Sequence, residues 1–376
     1  MEVGIGVGAT PPIRQTRAMV RLARLFRLDS VWLPDHLVGW FAPSIWDDRL
    51  TWMARGSGSP DAYFDIQVLA GHLASRLGRL QLGIGVTEPI RRHPVVIAQA
   101  FLTLAHLTRR PPILGIGPGE RENTEPFGLD FSRPVARLAE ALEVLRLCLD
   151  GEGPLRFEGE FFRLDGGHLD LEAPPGRRPE VWIAAHGPRM LELTGRFGDG
   201  WYPTIPMTPD AYRASLDRIR DAAVRAGRDP ERIVPGMQAF VVLGPSDEAA
   251  HRLLESRAIR YLALLAPDWA WKAAGATHPF GDGFRGMVDF VPTAYTHTEL
   301  EDAIAAVPVE LVEEQMYWGS PDRVASALRG LGSVGLRHVV IAPASGLVSR
   351  RAALFALRSL PRLARRLREV GVSDGG

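Results

Sequence analysis

Four short polar segments of this sequence carry side chains able to do acid–base or ligand-binding chemistry, and each directly follows an apolar run. Trp32-Leu33-Pro34-Asp35-His36-Leu37-Val38-Gly39-Trp40 sets an Asp-His pair at the end of Val31–Pro34. Such a pair could hold a ring nitrogen of a cofactor and move a proton, since His titrates near neutrality. On spacing alone it reads more readily as a helix cap beside a packed histidine. Gly83-Ile84-Gly85-Val86-Thr87-Glu88-Pro89 is either a bulged strand end against which a flat ring could press or a plain glycine-containing loop. In Leu114-Gly115-Ile116-Gly117-Pro118-Gly119-Glu120-Arg121-Glu122-Asn123 the glycines permit close approach of backbone to a ligand. Glu120 would there be a general acid, or one member of a solvated acidic loop. Ala184-Ala185-His186-Gly187-Pro188-Arg189-Met190 runs from small residues into a helix start. Free backbone N–H groups at that point suit the phosphate of a cofactor tail, although an ordinary strand-to-helix turn has the same pattern.

The elements that must position these segments are legible from periodicity. Candidate strands are Val3–Gly8, Val31–Pro34, Leu80–Val86, Ile113–Gly117, Val181–Ala184, Gly200–Pro203, Met237–Leu243 and His338–Ala342. Eight such runs, bounded by Gly and Pro and separated by amphipathic helices, predict a closed parallel (β/α)8 TIM barrel. In that architecture chemistry gathers where the strands end and the loops converge. Pro94 opens a helix with Ile97, Phe101, Leu104 and Leu107 on one face, and Ser132 is the expected N-cap of the next. Thr208-Pro209-Asp210 and Ser320-Pro321-Asp322 each read as cap, first-turn proline and carboxylate. Residues 39–61, 156–165 and 267–298 break the alternation and are expected as insertions at the C-terminal face of the strands, the second as a β-hairpin turning at Glu158-Gly159. No repeat or low-complexity linker divides residues 1–376, so a single domain is expected.

Composition excludes several classes. Lys plus Arg and Asp plus Glu are 44 each, so net charge points to neither nucleic acid nor a membrane surface. Cys148 is the lone cysteine and cannot form an internal disulfide, which with the absence of a signal-like N-terminal run predicts a cytoplasmic protein. No transmembrane segment is expected. Gly4-Ile5-Gly6-Val7-Gly8 and Gly115-Ile116-Gly117-Pro118-Gly119 lack the spacing and following helix of a dinucleotide fingerprint. P-loop, zinc-protease, paired-cysteine and serine-elbow motifs are absent, and the ten histidines are scattered, so no metal is expected. The arginines Arg362, Arg365, Arg366 and Arg368 read as the solvated face of a last barrel helix or as a basic membrane-facing helix.

Taken together, the segments VWLPDH, HPVVIAQAFLTL, ILGIGPGERENTEPFG, WIAAHGPRMLELTGRFGDGWYP and WGSPDRVASAL resemble the luciferase-like superfamily, and within it the branch that uses the deazaflavin coenzyme F420. The stretches GERENTEPFG, AAHGPRML, AGRDPERI and HPFGDGFRG are most similar to its phthiodiolone ketoreductase group. The resemblance runs from about Val3 to Val340. It implies a (β/α)8 barrel, usually a homodimer, with Asp35 and His36 beside the deazaflavin ring and Trp40 lining the active site. It further implies Gly85, Val86 and Thr87 as a bulge with a non-proline cis peptide backing the ring, Glu120 as the acid, and Asn123 as an amide near the ring. Ala185, His186, Gly187, Pro188 and Arg189 match the turn that receives the coenzyme phosphate. The sugar-phosphate-oxidising relatives carry basic side chains at two positions where this chain has Met207 and Gln315, so a sugar phosphate is not expected. Trp269, Trp271, Phe280 and Phe284 favour an apolar ligand. The expected activity is an F420-dependent ketoreductase of an apolar or lipid-like ketone, with His36, Trp40 and Glu120 catalytic. Its rivals are an FMN-dependent monooxygenase on the same fold and a deazaflavin-binding protein without turnover.

Overall fold

The computed structural model describes residues 1–369. The eight expected runs become eight parallel strands: β1 (Glu2–Gly6), β2 (Ser30–Leu33), β3 (Gln81–Thr87), β4 (Ile113–Ile116), β5 (Glu180–Ile183), β6 (Gly200–Trp201), β7 (Val234–Leu243) and β8 (His338–Pro343). Each pairs with the next, and β8 pairs back onto β1 with Val3 opposite Val339, so the sheet closes. The chain therefore folds as the predicted (β/α)8 barrel. A short strand, Tyr317–Gly319, adds to the C-terminal end of β7 opposite Val241–Leu243. The sequence pattern places no strand at these three residues.

The barrel interior is filled by aromatic side chains for which glycines make room. Trp32 of β2 stacks on Tyr202, with ring centroids 4.4 Å apart and planes 7° from parallel. Trp182 of β5 lies 5.4 Å from Trp32. A Cβ added at Gly83 would come within 2.4 Å of the Trp32 indole, and one at Gly200 within 2.4 Å of Trp182. Two further glycines allow other close approaches: a Cβ at Gly4 would fall 2.1 Å from Ser30 Oγ, and one at Gly115 would fall 2.0 Å from the Ile84 carbonyl oxygen. At the end where strands begin, a polar chain closes the barrel. Trp32 Nε1 donates to Ser30 Oγ (2.9 Å), which meets His338 Nε2 (2.8 Å), whose Nδ1 reaches Glu2 Oε2 (3.0 Å). Ser30 and His338 are buried, so this Ser-His-Glu chain is a plug and not a reactive triad.

Helix ends follow the expected caps with one exception. Thr208 Oγ1 accepts from Ala211 N, and Ser320 Oγ from Arg323 N. Ser132 does not cap the helix Pro134–Asp150: its hydroxyl bonds Asp130 Oδ2 at 2.6 Å, and Arg133 takes the cap position with φ 50°. Residues 155–167 form the hairpin Leu155–Glu158 and Arg163–Gly167, closed by Gly159 N to Phe162 O.

Segments 39–61 and 267–298 build a second apolar cluster on the barrel mouth, where Ala42, Ile45 and Leu50 pack with Tyr261, Trp271, Phe284 and Phe290. Here one expectation is corrected. Trp271 and Phe284 are core residues and Phe280 stacks on Tyr295 at 4.1 Å, while Trp269 is 60% exposed. The insertion uses Trp271, Phe280 and Phe284 for its own packing, because a long glycine-rich segment can be ordered only by burying apolar area. We infer one domain for the described residues, since Val242 and Ala344 belong to this cluster while Val241 and Ile341 belong to the barrel core. The last helix, Arg350–Arg368, pairs Arg362 and Arg366 with Asp322, and Arg368 with Asp29. Among the described residues no helix is long and apolar enough to cross a membrane.

Because the Trp32 and Trp182 indoles are fully enclosed, Gly83→Ala and Gly200→Ala are each expected to lower stability by about 1–3 kcal/mol through overpacking. Urea denaturation measures this; midpoints unchanged from the parent would show that the barrel interior is loose.

Candidate active site at the barrel mouth

The loops after β2 and β4 meet through Asn123. Its Oδ1 accepts the backbone N–H groups of Leu37 (2.6 Å) and Val38 (3.2 Å), which fixes the orientation of the amide. Its Nδ2 then faces His36 Nδ1 at 3.0 Å, Glu122 Oε1 at 3.2 Å and Glu120 Oε2 at 3.5 Å. His36 Nδ1 lies 3.7 Å from Glu120 Oε2, and Trp40 Nε1 lies 3.5 Å from the same oxygen. His36, Trp40, Glu120 and Asn123, drawn from positions up to 87 residues apart, thus form one cluster. With Nδ1 accepting from Asn123, the imidazole is the Nε2–H tautomer by this network. Burial pushes the His36 pKa down, against the opposing pull of Glu120 and Asp35, so the ring is neutral at neutral pH.

One donor atom each of His36, Glu120 and Glu122 lies within 4.8 Å of the others, a spacing that a metal ion could bridge. The Asn123 NH2 group, however, sits within reach of all three, and a hydrogen-bond donor held there opposes a cation.

Asp35 has a different place from its neighbour. Its side chain is 2% exposed, and Oδ2 accepts from Thr87 Oγ1 (2.6 Å) and Arg92 Nη1 (2.7 Å), with Arg91 Nη2 at 3.3 Å. Arg91 also bonds Glu88 Oε1 (2.5 Å) and the Asp35 carbonyl. The carboxylate is committed to locking the β3 loop under His36, and Thr87 serves the same lock.

Between Ile84 and Thr87 the β3–β4 register shifts, and the Gly85–Val86 peptide bond is cis. Gly85 and Val86 are partly exposed at the mouth, where a Cβ at Gly117 would lie 3.3 Å from Val86 Cγ2 and 3.7 Å from Ala184. This bulge is the feature expected at these residues. After β5, the Ala185 carbonyl accepts from Trp201 Nε1 (2.9 Å), and His186 Nε2 lies 3.3 Å from both Thr204 Oγ1 and Thr204 N. These two residues hold the turn, leaving Gly187, Pro188 and Arg189 exposed. The helix Pro188–Phe197 has no side-chain cap and no acidic residue in its first turn, and nothing lies within 4 Å of a Cβ placed at Gly187. An anion could approach the backbone there.

Three contributors were not read from the sequence. Tyr261 OH donates to the Trp40 carbonyl (2.5 Å) and accepts from Ala42 N (3.1 Å), anchoring the segment that carries Trp40 from 219 residues away. Tyr63 packs its ring 5.4 Å from His36. Glu122 is buried at 1% exposure beside Glu120. Glu122 shares a motif with Glu120 and Asn123, whereas nothing local marks Tyr63 or Tyr261.

Removing the Asp35 carboxylate would leave Arg91 and Arg92 partly unpaired in a buried setting. Asp35→Ala is expected to cost about 3–5 kcal/mol of stability; a cost under about 1 kcal/mol by urea denaturation would refute the lock.

The luciferase-like monooxygenase family model matches residues 1–338. The chain is 40% identical over 327 residues to a phthiodiolone/phenolphthiodiolone dimycocerosates ketoreductase of Mycobacterium sp. (strain JLS), covering 86% of each protein. Its fold is similar to that of an F420-dependent secondary alcohol dehydrogenase in complex with an F420-acetone adduct, with TM-score 0.74, 18% identity and coverage of 97% of this chain and 98% of that one. It is also similar to a riboflavin lyase with modified FMN and riboflavin, with TM-score 0.69, 17% identity and coverage of 100% and 93%. Family match, overall identity and closed barrel agree, and the chain belongs to the luciferase-like monooxygenase family.

Proposed function

We propose that the protein is a coenzyme F420-dependent oxidoreductase that reduces the carbonyl of an apolar or lipid-like ketone. The observation that carries this reading is the cluster at the mouth: a carboxyl, Glu120, held beside a neutral imidazole and an indole. The 40%-identical ketoreductase supports it. So do the uncapped helix at Gly187, suited to a phosphate tail, and the non-basic Met207 and Gln315. The residues fit the coenzyme: Gly85 and Val86 would back the ring, Asn123 and His36 would border it, and Gly187, Pro188 and Arg189 would hold the tail. Bound there, a reduced deazaflavin supplies a hydride at carbon and restricts the chemistry to two-electron transfer.

The chain's own groups do the rest. Glu120 gives a proton to the substrate oxygen as negative charge develops there. Neutral His36 has its Nε2–H as its remaining donor, so it orients and polarises without carrying charge. Trp40, fixed by its indole N–H toward Glu120 and by Tyr261 on its carbonyl, covers the acid and excludes water. A homodimeric state and cytoplasmic residence belong to the same proposal. FMN-dependent oxygenation is the second reading, favoured by the fold shared with an FMN-bearing lyase.

Fluorescence quenching with F420 and FMN in separate titrations decides between the two: F420 should bind more tightly, and tight FMN binding with oxygen consumption would overturn the proposal. Gly187→Val should weaken F420 affinity without lowering thermal stability, because its side chain projects into open space that the phosphate would need. Glu120→Gln should bind F420 as the parent does and lose about 10²–10⁴-fold in ketone reduction. Turnover retained by Glu120→Gln would move the acid role elsewhere.

A further inference from the structure

We propose that Glu122 is a positioning residue for the acid: its buried carboxyl keeps a proton and directs it at Glu120, so that the two carboxyls act as one proton-sharing pair. The inference rests on the reading of Glu120 as acid given above.

The placement is unusual for a glutamate. Glu122 is 1% exposed, and among the described residues its Oε2 has no hydrogen-bond partner, while Oε1 takes the Asn123 amide at 3.2 Å. A buried, unpartnered carboxylate oxygen is costly, whereas a carboxylic acid needs only one acceptor for its O–H. The acceptor at hand is Glu120, whose carboxylate lies within the 4.8 Å cluster and is about a quarter exposed at the mouth. Two carboxyls this close do not both ionise readily. The other groups facing Glu122 do not replace that partner. His36 is neutral, Tyr63 is held protonated with its pKa pushed up to about 12, burial likewise keeps Tyr261 protonated, and Asp61 is bonded to the Gly39 N–H. Arg91 is a cation that faces it, and its guanidinium is already bonded to Glu88 and Asp35. Burial first, and Glu120 second, push the Glu122 pKa up to about 11.

In the step itself, the Glu122 O–H bond breaks as a new O–H forms on Glu120, and the substrate oxygen takes that proton from Glu120 as its carbonyl is reduced. The negative charge left on Glu122 is partly offset by Arg91, and a proton from water restores the pair.

Stability gives a test free of cofactor. A carboxyl whose pKa is raised on folding stabilises the native state fully below its unfolded range, and this is lost as pH rises toward about 11. Glu122→Gln removes that dependence, so its melting temperature relative to the parent should climb steadily with pH above the ordinary carboxylate range. A difference that does not change with pH would overturn the proposal. The second readout is the pH profile of kcat/KM for reduction of a long-chain methyl ketone with reduced F420. Glu122→Gln and the apolar Glu122→Leu should both move the alkaline limb down by about one pH unit or more. An unshifted limb with uniformly lower rate would make Glu122 merely structural. If Glu120→Gln turns over like the parent, the acid reading fails and the pair with it. If Glu120→Gln is inactive while both Glu122 variants keep the parental limb, this inference alone fails.

Discussion

The side-chain amide of Asn123 is the point at which two loops from neighbouring strands become one site. Its oxygen is taken by two backbone N–H groups of the β2 loop, and its nitrogen has no choice but to face His36, Glu120 and Glu122. Because an amide cannot exchange donor for acceptor without losing those backbone bonds, the tautomer of His36 follows from it. So does the separation of the histidine from the two carboxyls. A site assembled from side chains on separate loops needs such a fixed reference, and a buried, fully engaged carboxamide supplies it.

Charge around this reference is arranged in layers. Below His36, Asp35, Glu88, Arg91 and Arg92 pair among themselves out of water, where breaking one partner is costly. At the level of the site the titratable groups are kept neutral by burial, as with His36 and Glu122. Only Glu120 is open to the mouth among the three clustered titratable groups, which is why the proposed proton exchange with a ligand runs through it.

The barrel's contribution is geometric. Glycines at Gly83 and Gly200 admit two indoles to the interior, and the filled barrel then cannot collapse or shift register at the ends that carry the loops. The second apolar cluster has an analogous role for segment 39–61, which has little regular structure of its own and is held by Tyr261, Thr51 and Trp52 contacts.

By itself the sequence determined the eight strands, their closure into a barrel, and the four polar segments that end up at its mouth. Those features are written in local patterns: apolar runs, glycines, and helix starts with proline and a cap. Glu120 was legible for the same reason, whereas Asn123 was marked only through the family resemblance. Ser132 was misread because a competing local acceptor, Asp130, took its hydroxyl. The aromatics of 267–298 were misassigned because residue type shows that a side chain must be buried, not against what. Only the tertiary structure decided that Asp35 faces Arg91 and Arg92 while its neighbour His36 faces Glu120. The same is true of Tyr261, which holds Trp40 in place, and of Glu122, which lies buried beside Glu120. Each of these depends on contacts between residues distant in the chain or on the depth of a loop below the surface, and neither separation nor burial depth is encoded in the spacing of neighbouring residues.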